Sequence, residues 1–162
     1  MEAQAQVIDV SDQLRPWQSE LVNTMRRFTV AVVHRRAGKT VLAILWLISH
    51  SLDHSNAVTG YVCPKRDQAK RIAWELLKLY APPGTDFNSS ELKATFPNGT
   101  RLYMLGTDAD NGDAIRGLGL VAAVLDETAD IAPGAWRLVV RPALADMKGH
   151  ALFIGTPKGF GS

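Results

Sequence analysis

Three consecutive residues, Gly38-Lys39-Thr40, carry the groups that a bound polyphosphate needs. A glycine lets the backbone approach an anion without a Cβ in the way. A lysine places a compact positive charge against β- and γ-phosphates, and a threonine offers its hydroxyl to Mg²⁺. The three follow a β-rich apolar run, Phe28 to Val33, and open an apolar stretch, Gly38 to Ser51, that reads as a helix. A phosphate-binding loop belongs at such a junction, because N–H groups at a helix start point at the ligand and the helix dipole favours anions. The usual pattern begins with a glycine where this chain has Val33, and the intervening His34-Arg35-Arg36-Ala37 is unusually basic. A glycine-capped turn with a solvated basic face would share some of these letters.

A second chemical group closes a later apolar run, Val121-Ala122-Ala123-Val124-Leu125-Asp126-Glu127. Ligands of open α/β sheets gather at the carboxyl ends of strands. Asp126 could hold Mg²⁺, through water, and Glu127 could polarise an attacking water as general base. Two acids after an apolar run can also be a solvated strand end, and it is the company of Lys39 that favours chemistry. An adjacent Asp-Glu pair suits ATPases that move or remodel polymers better than small GTPases or kinases.

These groups need elements to position them. Pro16 to Arg27 reads as a helix with Trp17, Leu21, Val22 and Met25 on one face. Phe28 to Val33 suits a strand buried on both faces. Ala57 to Cys63 reads as a second strand stopped by Pro64, and Asp67 to Tyr80 as an amphipathic helix with Ile72, Leu76 and Leu79 as core positions. Leu92 to Phe96 and Thr100 to Leu105 flank Pro97-Asn98-Gly99, a hairpin signal because Asn-Gly tolerates positive φ. Thr107 to Gly119 is a polar loop, Leu120 to Leu125 a buried strand, and Ala151 to Ile154 the last strand. Pro133 to Leu144 is helical in part, with Pro142 expected to end or kink it. Strands alternating with helices predict an α/β fold of P-loop NTPase type (the ASCE class, given the acid pair). Its sheet is mostly parallel, flanked by helices, with an added antiparallel hairpin.

The bulk composition is compatible with this and excludes little else. The 162 residues suit one domain, with residues 1 to 12 expected to be loose. A net charge of +2 is too weak to imply nucleic acid, although Lys65, Arg66, Lys70 and Arg71 cluster. One cysteine, Cys63, rules out an internal disulfide, and no run is long and apolar enough to span a bilayer.

The ordered set of motifs resembles the large subunit of tailed-phage terminases, in its N-terminal ATPase part. Arg15-Pro16-Trp17-Gln18 is similar to the family's adenine motif, and Arg35-Arg36-Ala37-Gly38-Lys39-Thr40 to its variant phosphate loop, which often lacks the first glycine. Asp110 to Gly119 resembles the segment before the acidic strand, and Val124-Leu125-Asp126-Glu127 the strand itself. Trp136, Arg141-Pro142-Ala143-Leu144 and Phe153 to Gly159 resemble the stretch ending in the coupling motif.

The resemblance implies an ATPase motor that moves double-stranded viral DNA into a procapsid, with ATP and Mg²⁺ as cofactors. Gln18 would read adenine with Trp17 or Arg15 packing nearby, and residues 34–40 (His34, Arg35, Arg36, Ala37, Gly38, Lys39, Thr40) would bind phosphates. Arg35 would touch the γ-phosphate from within the subunit or sense its loss, Arg116 would act as an arginine finger on a neighbouring subunit, and Thr156 would couple hydrolysis to movement. Thr40 and Asp126 would hold Mg²⁺. Implied partners are double-stranded DNA, a portal protein, a small terminase subunit and further copies in a ring, in the host cytoplasm and away from membranes. Family members continue into a lid and a nuclease domain of RNase H type. This chain stops at Ser162, so a single core with slow hydrolysis and no nuclease activity is expected. Two other readings stay open: a helicase-like ATPase of the related superfamily, and an inert fragment serving as an assembly module.

Overall fold

Seven short β-prone runs form one sheet in the computed structural model, which describes Arg15, Pro16, Gln18 and residues 27–32, 38–108 and 114–156. In chain order the strands are β1 (Phe28–Val32), β2 (Val58–Cys63), β3 (Asp86–Asn88), β4 (Lys93–Thr95), β5 (Arg101–Gly106), β6 (Ala122–Asp126) and β7 (His150–Gly155). Across the sheet the order is β1-β7-β6-β2-β5-β4-β3. The first five of these run parallel, and β4 and β3 are antiparallel additions. This is the predicted mostly parallel α/β architecture with its hairpin. The unpredicted β3 is three residues long and carries no alternation to betray it.

Helices cover both faces. Helix α1 (Lys39–Asp53) is buried continuously from Leu42 to Ile48, as a helix that is apolar all round should be. It packs on one face with a stretch made of α2 (Arg66–Gln68), a π-helical turn (Ala69–Ala73) and α3 (Trp74–Tyr80). On the other face lie a π-helical segment (Ala135–Val140) and α4 (Arg141–Met147), over Val62, Leu105, Ala123 and Leu125. Pro142 does not end this helix. It stands in the first turn of α4, where a missing N–H is tolerated.

Two expectations need correction. Strand β1 is not buried on both faces: it is the sheet edge, and Val30 and Val32 are 73% and 66% exposed while Ala31 between them is buried. In the helix after β2, Ile72 and Leu79 face solvent and Leu76 is only partly buried; the buried set is Ala69, Ala73, Trp74 and Leu77. A π-turn spends an extra residue per hydrogen bond, so it rotates the following residues away from the 3.6-residue count used to choose the face. Alanines at 69 and 73 also let the backbone approach the sheet closely.

The hairpin turn has a second task. Gly99 takes φ 85°, and the Asn98 amide nitrogen reaches the carbonyls of Ser51 (2.8 Å), His54 (3.2 Å) and Leu52 (3.3 Å) at the end of α1. It thereby satisfies acceptors that a helix end otherwise leaves open. Beside it, His50 packs on Trp46 and within 5.2 Å (ring centroids) of His150. Burial, with repulsion from His150 and His54, lowers its pKa to about 4.

Leu77→Ala should destabilise the chain by about 2–5 kcal/mol because it opens a cavity, whereas Leu79→Ala should change stability by less than about 0.5 kcal/mol. Urea unfolding of the two variants checks the corrected helix face. The lowered pKa of His50 means that the unfolded chain binds its proton first as pH falls. The associated stability is therefore complete above about pH 6.5 and lost towards pH 4, by about 3 kcal/mol. Urea melts across that window should show this loss, and His50→Leu should flatten the slope.

Candidate active site

Strands β1, β7 and β6 are adjacent and parallel, with Val32 beside Gly155 and Ile154 beside Asp126. Their carboxyl ends therefore meet at one edge of the sheet. Lys39 opens the helix that follows β1, Thr156 follows β7 and Glu127 follows β6. The Lys39 ammonium forms an ion pair with Glu127 Oε1 and donates to Thr156 Oγ1 at 2.5 Å, and the Thr156 hydroxyl lies 3.2 Å from the same Glu127 oxygen. Three strand ends thus converge on one triangle of side chains.

The backbone turns sharply to allow it. Glu127 has φ 53° and ψ 52°, left-handed values uncommon outside glycine. Its N–H donates to Asp126 Oδ1 at 2.8 Å. The Thr128 hydroxyl lies 3.0 Å from the Leu125 carbonyl and 3.1 Å from that of Ile154, tying β6 to β7 just behind the triangle.

Asp126 is buried, and its Oδ2 accepts from the Tyr61 hydroxyl of β2. Burial raises the Asp126 pKa; the Tyr61 hydrogen bond and the charge of Lys39 pull it back, and the charge of Glu127 adds to the rise. Tyr61 is held well above its ordinary value by burial and by Asp126.

At the other side of Lys39, Gly38 takes φ 84° as the residue before α1. A Cβ there would also come within 2.9 Å of Gln18 Nε2. That nitrogen donates to the Gly38 carbonyl at 2.7 Å, and Gln18 Oε1 accepts from the Arg15 N–H at 2.7 Å. Gln18 is 2% exposed, so the segment expected to read adenine is clamped to the residue just before Lys39.

The structure thus brings together Lys39, Asp126, Glu127 and Thr156 and joins Gln18 and Arg15 to Gly38. Thr40 is half-buried in the first turn of α1. Arg116 is exposed on a turn over residues 114–117. Trp17, His34, Arg35, Arg36 and Ala37 lie outside the described residues. Of the basic cluster, Arg66 is bound to the Ser90 carbonyl and, through its N–H, to Asp108; Lys65, Lys70 and Arg71 are exposed. Sequence reasoning missed Tyr61 and Thr128. A tyrosine inside a buried strand was the available signal, since its hydroxyl must find a partner.

The family model described as "Terminase large subunit, T4likevirus-type, N-terminal" matches residues 33–159. The chain belongs to this family. It is 30% identical over 145 residues to the terminase large subunit of Escherichia phage T5, a match that takes in 86% of this chain and 32% of that protein. It therefore spans about a third of the length of this curated relative. Among solved structures it is similar to a mutant of the large terminase ATPase domain of Thermus phage P74-26, with TM-score 0.72, 21% identity, and 88% and 65% of the two chains covered. It is also similar to the large terminase of a thermophilic bacteriophage solved in complex with ATP-γ-S, with TM-score 0.65, 15% identity, and 88% and 36% covered. These likenesses place the terminase chain in the P-loop NTPase fold.

Gly38→Ala should be costly out of proportion to one methyl group. The left-handed backbone alone is worth about 1–2 kcal/mol against alanine, and the Cβ displaces the Gln18 amide. A fall in thermal stability together with weakened binding of a fluorescent ATP analogue is the expected result.

Proposed function

We propose that this terminase chain hydrolyses ATP to drive double-stranded viral DNA into a procapsid. The observation that carries the reading is the Lys39–Glu127–Thr156 triangle at the carboxyl ends of three parallel strands. A phosphate-binding lysine, a carboxylate able to act as base, and a hydroxyl just past the strand between them are the parts that phosphoanhydride hydrolysis needs in one place. Membership of the terminase family supports the DNA-packaging role, and the ATP-γ-S complex of the thermophilic-phage terminase supports adenine nucleotide as the substrate.

In this reading the γ-phosphate of ATP competes with the Glu127 carboxylate for the Lys39 ammonium. Glu127, released from the ion pair, takes the proton of a water attacking the γ-phosphorus. Thr156 is bonded to both residues, so exchange of Lys39 between carboxylate and phosphate reaches β7 directly. That is a physical route for its coupling role. Gln18 faces adenine with the hydrogen and lone pair its two bonds leave over, and it passes the occupancy of that site to Gly38. Arg35 contacts the γ-phosphate. Arg116, exposed on its turn, acts as an arginine finger on the ATP of a neighbouring copy in a ring.

The donor set suits Mg²⁺. The hydroxyl of Thr40 and the carboxylate of Asp126 are hard oxygen ligands, and the buried Asp126 carboxylate is a negative charge whose desolvation a divalent cation would offset. The ion supplies neutralisation of charge developing between the β- and γ-phosphates. The portal protein and small terminase subunit are the partners that this role requires.

Glu127→Ala should lower ATP turnover by about 10²–10⁴-fold while nucleotide binding persists, and Lys39→Ala should abolish binding. Steady-state hydrolysis and equilibrium binding, each with and without duplex DNA, test this. Equal turnover by the parent chain and Glu127→Ala would leave an inert module, and stimulation by single-stranded DNA alone would point to a helicase-like enzyme.

A further inference from the structure

Asp126 is the acid assigned to Mg²⁺, and two bonds set how its carboxylate is turned. Both of its oxygens are held by other groups. One accepts the N–H of Glu127, at 2.8 Å, and the other accepts the hydroxyl of Tyr61. Tyr61 lies on β2, which pairs with β6 in parallel register and places Tyr61 beside Val124. Side chains alternate along a strand, so Val124 and Asp126 share a face. Tyr61 belongs to the same layer, packed with Val124 in the core beneath α1. A diagonal neighbour across a sheet is within reach of an aromatic side chain but not of a short one. The tyrosine ring spans that diagonal and delivers its hydroxyl to the acid. Tyr61 and Asp126 are each 1% exposed, so solvent cannot readily replace this bond.

We propose that Tyr61 is a positioning residue for the metal site: it sets the orientation of the Asp126 carboxylate so that its remaining lone pairs face the nucleotide-bound cation. The proposal rests on the reading of Asp126 as a Mg²⁺ residue. A phenylalanine would fill the same core volume and leave one carboxylate oxygen without its donor, free to turn towards another partner. Partners that orient a metal's ligands typically contribute a factor of roughly 10–100 in metal affinity.

The test measures Mn²⁺ binding, by the electron paramagnetic resonance of the free ion, to the whole chain saturated with ATP-γ-S. The parent, Tyr61→Phe and Asp126→Asn are compared, and ATP-γ-S affinity without metal is measured for each. The expected result is a rise of roughly 10–100-fold in the Mn²⁺ dissociation constant for Tyr61→Phe, with metal-free nucleotide affinity unchanged. An unchanged Mn²⁺ constant in Tyr61→Phe beside a raised one in Asp126→Asn would overturn the role of Tyr61 and leave Asp126 as a metal residue. Unchanged constants in both would remove the metal reading of Asp126, and Tyr61 with it. A Tyr61→Phe chain that loses metal-free nucleotide affinity in proportion would show a merely structural tyrosine and would also overturn the proposal.

Discussion

The site depends on one constraint: three parallel strand ends must finish level and side by side. Neighbouring strands lie about 4.8 Å apart, so the ends of β1 and β6, with β7 between them, are separated by roughly 10 Å. Lys39, at the start of α1 seven residues past the end of β1, and Glu127, just past the end of β6, meet across that span. The middle strand needs a short polar residue, which is Thr156. A slip of one residue in either pairing would turn side chains to the opposite face and break the triangle. The chemistry is therefore a consequence of sheet register before it is a consequence of residue type.

That register is protected where it matters. Thr128 fastens β6 to β7 one residue beyond Glu127, and the Gln18 amide fastens the residues before the phosphate loop to Gly38. Helix α1 is anchored by its buried run and, at its far end, by Asn98 of the hairpin turn. The antiparallel strands that look peripheral to the candidate site thus help to hold the helix whose first residue is Lys39. Against this rigid frame, the left-handed backbone of Glu127 is a local departure of the kind that concentrates at functional sites. It turns the chain so that Asp126 points into the core and Glu127 out to the lysine.

What the sequence reveals follows from how local each signal is. The Gly38-Lys39-Thr40 triplet, the acid pair and the Asn-Gly hairpin are contiguous strings whose physics is written in a few residues; the triplet opens a helix, the acids end a strand and the hairpin forms, as expected, while residues 33–37 lie outside the described residues. The helix face of 66–80 escapes such reasoning because a π-turn leaves no mark on composition and changes the period by which a face is counted. Strand β1 escapes it because an apolar run shows that a strand can be covered, not that it is. Its edge position is a property of the whole sheet. Tyr61 and Thr128 are hidden for a related reason: their bonds cross between strands, and pairing register cannot be read from one strand alone.

Asp126 shows how the proposed function and stability oppose each other. Burial holds its pKa above the unfolded value, so the folded chain keeps the proton longer than the unfolded chain does. The stability linked to this group is present below the carboxylate's ordinary range and is lost as pH rises through the raised pKa. In its ionised form the acid is a cost to the fold. The Tyr61 hydroxyl, the Glu127 N–H and the Lys39 charge each reduce that cost without removing it. An aliphatic residue would suit the stability of β6 better, because its strand neighbours Ala122 to Leu125 are all buried and apolar. In the proposed reading a buried carboxylate at the end of such a strand serves a cation, and the bonds from Tyr61 and the Glu127 N–H make its charge more tolerable in the meantime.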